Sequence, residues 1–302
     1  MARSRRIVIA GANGFIGQYL AKRFRAAGDI VETIGRSDAD ATWDDPAGIA
    51  SLIDGSDILI NLAGKSVNCR YNEKNKAAIF ASRLETTAAI GLAVRSVLSP
   101  PPIWLNASTA TIYRHADDRP MTDEEGEIGT GFSVDVATSW EREFFAGPRD
   151  GVRQVALRMA IVLGDGSALA PLVVLARLGF GGPQFGGKTP GARQRFSWVH
   201  IEDVYRAIEF IVADPAIAGP INVASPRPVE NRELMSTLRR VVGVRVGIPL
   251  REWMLKLGAV AIRTETELLL KSRWVVPTRL RSAGFEFEFP SLEPALRDIL
   301  HR

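Results

Sequence analysis

The chain has one cysteine, Cys69. A lone thiol cannot close an internal disulfide, so packing alone must hold the fold, and such cysteine usage suits a reducing compartment. Histidine is nearly as scarce: His115, His200 and His301 lie far apart, and with one thiol beside them no metal site is expected. There is no unbroken run of about 20 apolar residues, the length a membrane helix needs. Arg3, Arg5 and Arg6 precede the apolar Ile7–Ala10, but that run is too short for a secretory signal and leads into glycines, not a cleavage site. The 38 basic residues stand against 34 acidic ones, a net charge of +4, and form no stripe with interleaved aromatics of the kind that binds nucleic acid. The expectation is a cytoplasmic protein with a small-molecule substrate and neither nucleic acid nor membrane as partner.

What is present begins at once. Ile7-Val8-Ile9-Ala10 is followed by Gly11-Ala12-Asn13-Gly14-Phe15-Ile16-Gly17 and then an amphipathic stretch through Tyr19, Leu20, Lys22, Arg23 and Phe24. Strand, glycine loop and helix in that order make a dinucleotide site, because glycine permits the tight turn and lets backbone approach a pyrophosphate seated at the positive helix end. Gly11, Asn13, Gly14, Phe15, Ile16 and Gly17 are therefore candidate cofactor contacts; the alternative is a tightly packed turn with no ligand.

With 46% hydrophobic content, 302 residues can bury a large core. Strands and helices alternate, as in an α/β doubly wound parallel Rossmann sheet. Residues 30–34 and 154–159 read as strands, 73–98 as a long helix closed by Pro100-Pro101-Pro102, and 140–145 as part of another helix. After Gly164 the texture becomes loop-dominated, with Gly179, Gly181, Gly182, Gly186, Gly187 and Gly191. The division read from this is a nucleotide-binding domain over 1–163 and 196–224, and a smaller mixed α/β C-terminal substrate lobe over 164–195 and 225–302. Phe285-Glu286-Phe287-Glu288-Phe289 alternates with period two, which predicts a half-buried strand.

The end of the second strand bears on the cofactor. An enzyme using NAD places an acidic residue there for the ribose 2′-hydroxyl. Here Arg36 and Ser37 follow Gly35, and a fixed guanidinium suits a 2′-phosphate. NADP(H) is the expected cofactor, with Asp38 or Asp40 as the alternative partners of an unphosphorylated ribose.

The Gly-x-x-Gly-x-x-Gly spacing with Phe15-Ile16 inside it resembles the extended short-chain dehydrogenase/reductases, which include nucleotide-sugar epimerases and dehydratases. The resemblance runs nearly the whole chain in order. It includes Asp57–Gly64, the counterpart of the family's fourth strand, whose Leu62, Ala63 and Gly64 would lie beside the cofactor. It continues through Ile103–Tyr113, Leu157–Gly164, Trp198–Val204 and Ile221–Ala224. It implies a Ser/Thr role for Thr109, which would hydrogen-bond a substrate oxygen, and makes Tyr113 a candidate proton donor or aromatic lid. Strand-end satisfaction of Thr109 by backbone is the plainer alternative.

One departure is sharp. The family's acid/base is a tyrosine followed four residues later by lysine. Four residues after Tyr19, Tyr71, Tyr113 and Tyr205 stand Arg23, Asn75, Asp117 and Glu209. On the helix that should carry the pair, Val136 takes the tyrosine position and Trp140 the lysine position; valine moves no proton and indole only donates a hydrogen bond. Together with Ser82–Thr87, Ser139-Trp140-Glu141, Phe196–Ile201 and Ala283–Phe287, this is similar to the atypical "epimerase family protein" subgroup, which ends in a small domain of unassigned function. Arg83 and Arg158 are candidate contacts of an anionic substrate or the cofactor phosphates. His115 and Glu141 read as surface residues more readily than as proton carriers, and His200 as a satisfied, half-buried histidine. Two functions follow: an NADP(H)-dependent oxidoreductase or epimerase-type enzyme on a small oxygenated substrate with a rebuilt acid/base, or a catalytically silent NADPH-binding sensor. The resemblance also implies a homodimer, formed through the long helix and the helix of Trp140.

Overall fold

The computed structural model describes residues 3–146, 150–166, 169–183, 193–249 and 272–301. Its first strand, β1 (Arg6–Ala10), is buried from Ile7 onward on both faces, as a central parallel strand must be. The chain passes through α1 (Phe15–Ala26), β2 (Ile30–Gly35) and β3 (Ala41–Thr42), which extend the sheet to one side. Then α2 (Pro46–Ile53) carries it across to β4 (Ile58–Asn61) on the other side of β1. Proline opens α2 and the Asp45 carboxylate accepts from the Gly48 N–H, so this short helix has both a stiff first turn and a side-chain cap. From β4 the sheet grows through α3 (Glu73–Ser96), β5 (Ile103–Thr109), α4 (Phe132–Phe145), β6 (Arg153–Met159) and, much later, β10 (Gly219–Val223).

Seven parallel strands result, in the order β10-β6-β5-β4-β1-β2-β3. The strand order reverses between β1 and β4, and in open α/β sheets a ligand binds in the crevice beyond the strand ends at such a reversal. The register keeps those ends level: Ala10 pairs with Asn61 and Asn61 with Asn106. Two short pairs stand apart from this sheet. One is parallel, β7 (Ile161–Leu163) with β9 (Trp198–His200); the other is antiparallel, β8 (Arg195–Phe196) with β11 (Val229–Glu230).

Because alternate residues of a strand face opposite ways, each strand feeds two cores. Ile7, Ile9, Leu105 and Leu157 pack against Leu20 and Phe24 of α1 and against Ile208 and Ile211 of α6 (Ile201–Ala213). On the other face Val8, Leu59 and Trp104 meet Ile53, Ile90, Val94 and Phe144 of α2, α3 and α4. By length and composition α3 would suffice to cross a membrane, with a mean hydropathy of 1.3 over its most apolar window. Here it lies along the sheet and buries Ile79, Thr87, Ile90, Gly91, Ala93 and Val94.

A third core forms beyond the sheet, from Trp198, Leu234, Leu238 and Leu296. It unites β9 with α7 (Asn231–Val241) and with α9 (Leu292–Leu300), which follows the short α8 (Thr278–Ser282). Within the glycine-rich stretch the structure places a helix, α5 (Ala170–Arg177), which carries proline in its first turn and buries Leu172, Val173 and Ala176 in this core. The loop reading of that stretch is thus corrected over 170–177; Gly186, Gly187 and Gly191 lie outside the described residues.

The period-two segment 285–289 is also corrected. Its burial alternates as expected, with Phe285 buried and Glu286 and Glu288 exposed, but it joins no sheet. The Glu288 and Phe289 N–H groups instead donate to the buried Asp203 carboxylate at 2.8 and 3.0 Å. A side chain takes the place of a partner strand.

Candidate functional site

The crevice between β1 and β4 is shaped by absent side chains. Gly11 has φ +80°, and a Cβ there would lie 2.9 Å from the Ala63 nitrogen and the Leu62 carbonyl. At Gly17 a Cβ would lie 2.5 Å from the Gly11 oxygen and 2.7 Å from the Ala12 Cα. Backbone meets backbone at both points, so neither position accepts a side chain without moving the loop. Gly14 is the N-cap of α1; no side chain caps the helix and no acidic residue stands in its first turn. The positive end of α1 is thereby left open to an anion. Ile16 packs on the sheet core, and the Phe15 ring faces Gly164, where a Cβ would lie 2.8 Å from it. These residues fit a bound dinucleotide: the cradle is backbone, tight and uncapped.

On the β4 side, the Asn61 side chain accepts from the Ala63 N–H at 3.0 Å and donates to the Asn106 Oδ1 at 2.7 Å and the Thr87 Oγ1 at 3.1 Å. This buried cluster fixes the turn through Leu62, Ala63 and Gly64. At the other end of the crevice, the Asn13 side chain donates to the Ser37 carbonyl at 3.1 Å, linking the glycine loop to the loop after β2. Arg36 and Ser37 are exposed there, and the Arg36 guanidinium has no hydrogen bond or ion pair among the described residues. Asp40 is already used, because its Oδ2 accepts from both the N–H and the hydroxyl of Thr33 at 2.8 Å.

The structure divides the candidate catalytic residues into two groups. Thr109 ends β5, and its hydroxyl is engaged locally with the Thr111 N–H and hydroxyl at 3.1 and 3.0 Å. Tyr113 is not at the crevice surface. It is 1% exposed; its hydroxyl donates to the Asn222 Oδ1 at 2.8 Å and accepts from the Arg158 Nη1 at 3.0 Å. Burial pushes its pKa up, away from any role as a base near neutrality.

Arg158 is committed as well. Its Nε and Nη2 form a two-pronged pair with Glu141 at 2.8 and 2.7 Å, and Ser108 donates to the same carboxylate at 2.6 Å. Burial pulls its pKa down, but these charge-assisted partners outweigh that and raise it. Tyr113 as proton donor and Arg158 as substrate contact are both displaced by this network, in which each polar group is satisfied inside the protein. Glu141, read as a surface residue, is a buried partner in it. His115 is held by Asp117 and the Ser272 N–H. His200 is fully buried, not half-buried; its Nδ1 caps α6 and its Nε2 lies 3.2 Å from Asp298.

Arg83 is placed differently. It lies on α3 beside Gly64, where a Cβ would come within 3.2 Å of its Cζ. The guanidinium stands 5.0 Å above the Trp140 ring, and the indole N–H below donates to Thr87 at 2.9 Å. Its Nη1 donates to the Lys65 and Ile79 carbonyls at 3.1 Å. Lys65, which the sequence reading passed over, is a second cation directly after the β4 turn; its position one residue past Asn61–Gly64 was the available signal. Among the described residues no group of three or more His, Cys, Asp or Glu is arranged to hold a metal ion.

A model of the NAD dependent epimerase/dehydratase family matches residues 7–133, and one of a domain of unknown function, DUF1731, matches residues 252–299. The human epimerase family protein SDR39U1 is 31% identical over 98% of this chain and 99% of its own length. The chain belongs to the NAD-dependent epimerase/dehydratase family. Within this epimerase family, the Bacillus subtilis protein YfhF is 28% identical over 97% of both chains. The crystal structure of human SDR39U1 with NADPH has a TM-score of 0.88 and 29% identity, covering 98% of this chain and 99% of that one. A UDP-glucose 4-epimerase from Thermus thermophilus with NAD has a TM-score of 0.74 at 15% identity, covers 98% of both chains, and shares the epimerase fold alone.

Proposed function

We propose that this epimerase-family protein binds NADP(H) and is an oxidoreductase or epimerase-type enzyme acting on a small oxygenated substrate without the family's tyrosine–lysine pair. The observation that carries the cofactor reading is the uncapped, acid-free start of α1 behind a backbone cradle, with Arg36, unengaged among the described residues, at the end of β2. The SDR39U1 structure with NADPH supports it. Gly11, Gly14 and Gly17 would receive the pyrophosphate, Arg36 and Ser37 the 2′-phosphate, and Leu62–Gly64 would border the nicotinamide. When bound, the nicotinamide supplies hydride chemistry. The protein's own contribution is to orient the two partners and exclude water; the Thr109 hydroxyl at the end of β5 would donate to the substrate oxygen by turning from its bond to Thr111.

Fluorescence titration with NADPH and NADH tests this reading. Micromolar binding of NADPH, with a clear preference over NADH, is expected. Arg36→Ala should weaken NADPH binding about tenfold or more and leave NADH nearly unchanged, since a charge-assisted hydrogen-bonded contact contributes about 1.5–3 kcal/mol. Equal losses for both cofactors would remove Arg36 from the site.

The second reading, a silent NADPH-binding sensor, is favoured by one observation: Tyr113, Glu141 and Arg158 are all consumed in a buried network. Substrate-dependent oxidation of NADPH decides between the two. A homodimer through α3 and α4, which pack on each other, remains part of the proposal; light scattering that returns a monomer mass would remove it.

A further inference from the structure

Among the described residues, Arg83 is a cation without an anion. It is half-buried, and a guanidinium partly withdrawn from water is commonly paired with a carboxylate or phosphate, because each lost water contact makes an uncompensated charge more costly. Arg5, Arg6, Arg23, Arg114 and Arg158 each have such a carboxylate partner, and Arg153, which has none, spends both Nη1 and Nη2 on backbone carbonyls. Arg83 has none among the described residues: two carbonyls share its Nη1, an aromatic face lies beneath it, and the Tyr71 phenol is the ionisable group that acts on it. Desolvation pulls its pKa below the ordinary arginine value, yet a guanidinium stays charged at any working pH. Its Nε and Nη2 have no hydrogen-bond partner among the described residues, and these two donors form the edge of the fork that matches an oxyanion in a two-pronged grip.

Three supports fix that fork in place. Nη1 is tied to the backbone before and within α3, the plane rests on Trp140, and the Trp140 indole is itself anchored to Thr87 and through it to Asn61 of β4. The guanidinium borders Gly64, at the same end of the crevice as the β4 turn, whereas the uncapped start of α1 and Arg36 serve the other two anionic positions. We propose that Arg83 is an oxyanion-binding residue of the substrate site, gripping a carboxylate or phosphate carried by the substrate. The substrate would then be a small oxygenated acid or phosphate ester. This location at the nicotinamide end rests on the cofactor reading above. Trp140, in place of a lysine, is the platform for a cation supplied by a different helix.

The test is calorimetric titration of NADP⁺-saturated protein with oxalate and, separately, inorganic phosphate, on the wild type, Arg83→Gln and Arg83→Lys. The expected result is binding of at least one probe to the wild type, with affinity lowered at least tenfold by Arg83→Gln and partly retained by Arg83→Lys. NADPH affinity and melting temperature should stay within twofold and about 2 °C of wild type in both variants. Preference for oxalate over phosphate, or the reverse, identifies which oxyanion the substrate carries. Failure of both probes to bind the wild type, or equal binding to Arg83→Gln, overturns the proposal. A tenfold loss of NADPH affinity in Arg83→Gln also overturns it, by giving the residue to the cofactor phosphates. A wild type that ignores NADPH but takes oxalate only when Arg83 is present overturns the cofactor reading and leaves the oxyanion site standing.

Discussion

Glu141 and Arg158 show how a single residue's fate depends on partners distant in sequence. Side-chain exposures of 10% and 11% leave this pair little water to fall back on. Replacing Glu141 by alanine would strand the Arg158 charge and leave Ser108 without its acceptor. Breaking a buried pair in this way costs about 3–5 kcal/mol, and urea unfolding of Glu141→Ala should show a loss of that size. A variant within about 1 kcal/mol of wild type would mean that the pair is not closed in solution. The tight glycine turn at the start of α1 was legible in sequence because it is a local pattern read within a few residues. The Ser108–Glu141–Arg158–Tyr113–Asn222 network was not, since it bonds residues as far apart as Tyr113 and Asn222, separated by 109 positions, that only the folded sheet brings together. Read alone, Tyr113 and Arg158 carry chemistry; read with their partners, they are structure.

At the scale of elements, charges tie strand ends to helix ends. Arg5, at the approach to β1, pairs with Asp29 after α1 at 2.6 Å and with Glu209 of α6 at 3.1 Å. The Arg5 hydrogen bond holds the Asp29 carboxyl below its ordinary pKa. A carboxylate with a lowered folded pKa adds stability that is complete above its unfolded value of about 3.9 and disappears as pH falls through the folded value. The stability of the wild type should therefore decline, as pH falls below about 4, more steeply than that of Asp29→Asn. Parallel acid-unfolding curves for the two proteins would refute the linkage. Helices and strands with strong local signals, such as β1, α1 and α3, were readable from the chain. The alternation at 285–289 misled because burial on one side does not specify what satisfies the backbone, and here Asp203 does so. The helix α5 was hidden by its glycine-rich surroundings, although Leu172, Val173 and Ala176 fall on one helical face.

Across the whole molecule, the C-terminal stretch is sewn into the parts before it. The Met121 N–H donates to the Trp274 carbonyl and the Val276 N–H to the Met121 carbonyl. Ser197 donates to the Arg273 carbonyl, and the Asp123 carboxylate takes the Thr278 hydroxyl and the Arg279 N–H. Leu280 and Phe285 lie in the same core as Ile7, Ile9 and Leu157. Calorimetry should accordingly show one cooperative transition. A chain ended at Pro249 should bind a hydrophobic dye and lack a sharp melt, since it leaves that core incomplete; two separate transitions in the full chain, or a well-folded truncation, would contradict this.

That shared core also sets a schedule for synthesis. The strand β1 leaves the ribosome long before Leu280 and Phe285, which finish its apolar layer. Until they emerge, the growing chain presents an unsealed hydrophobic seam, the kind of surface that holding chaperones and proteases read. A chain cut before Leu280 would therefore keep that seam open, however much of the crevice had already formed.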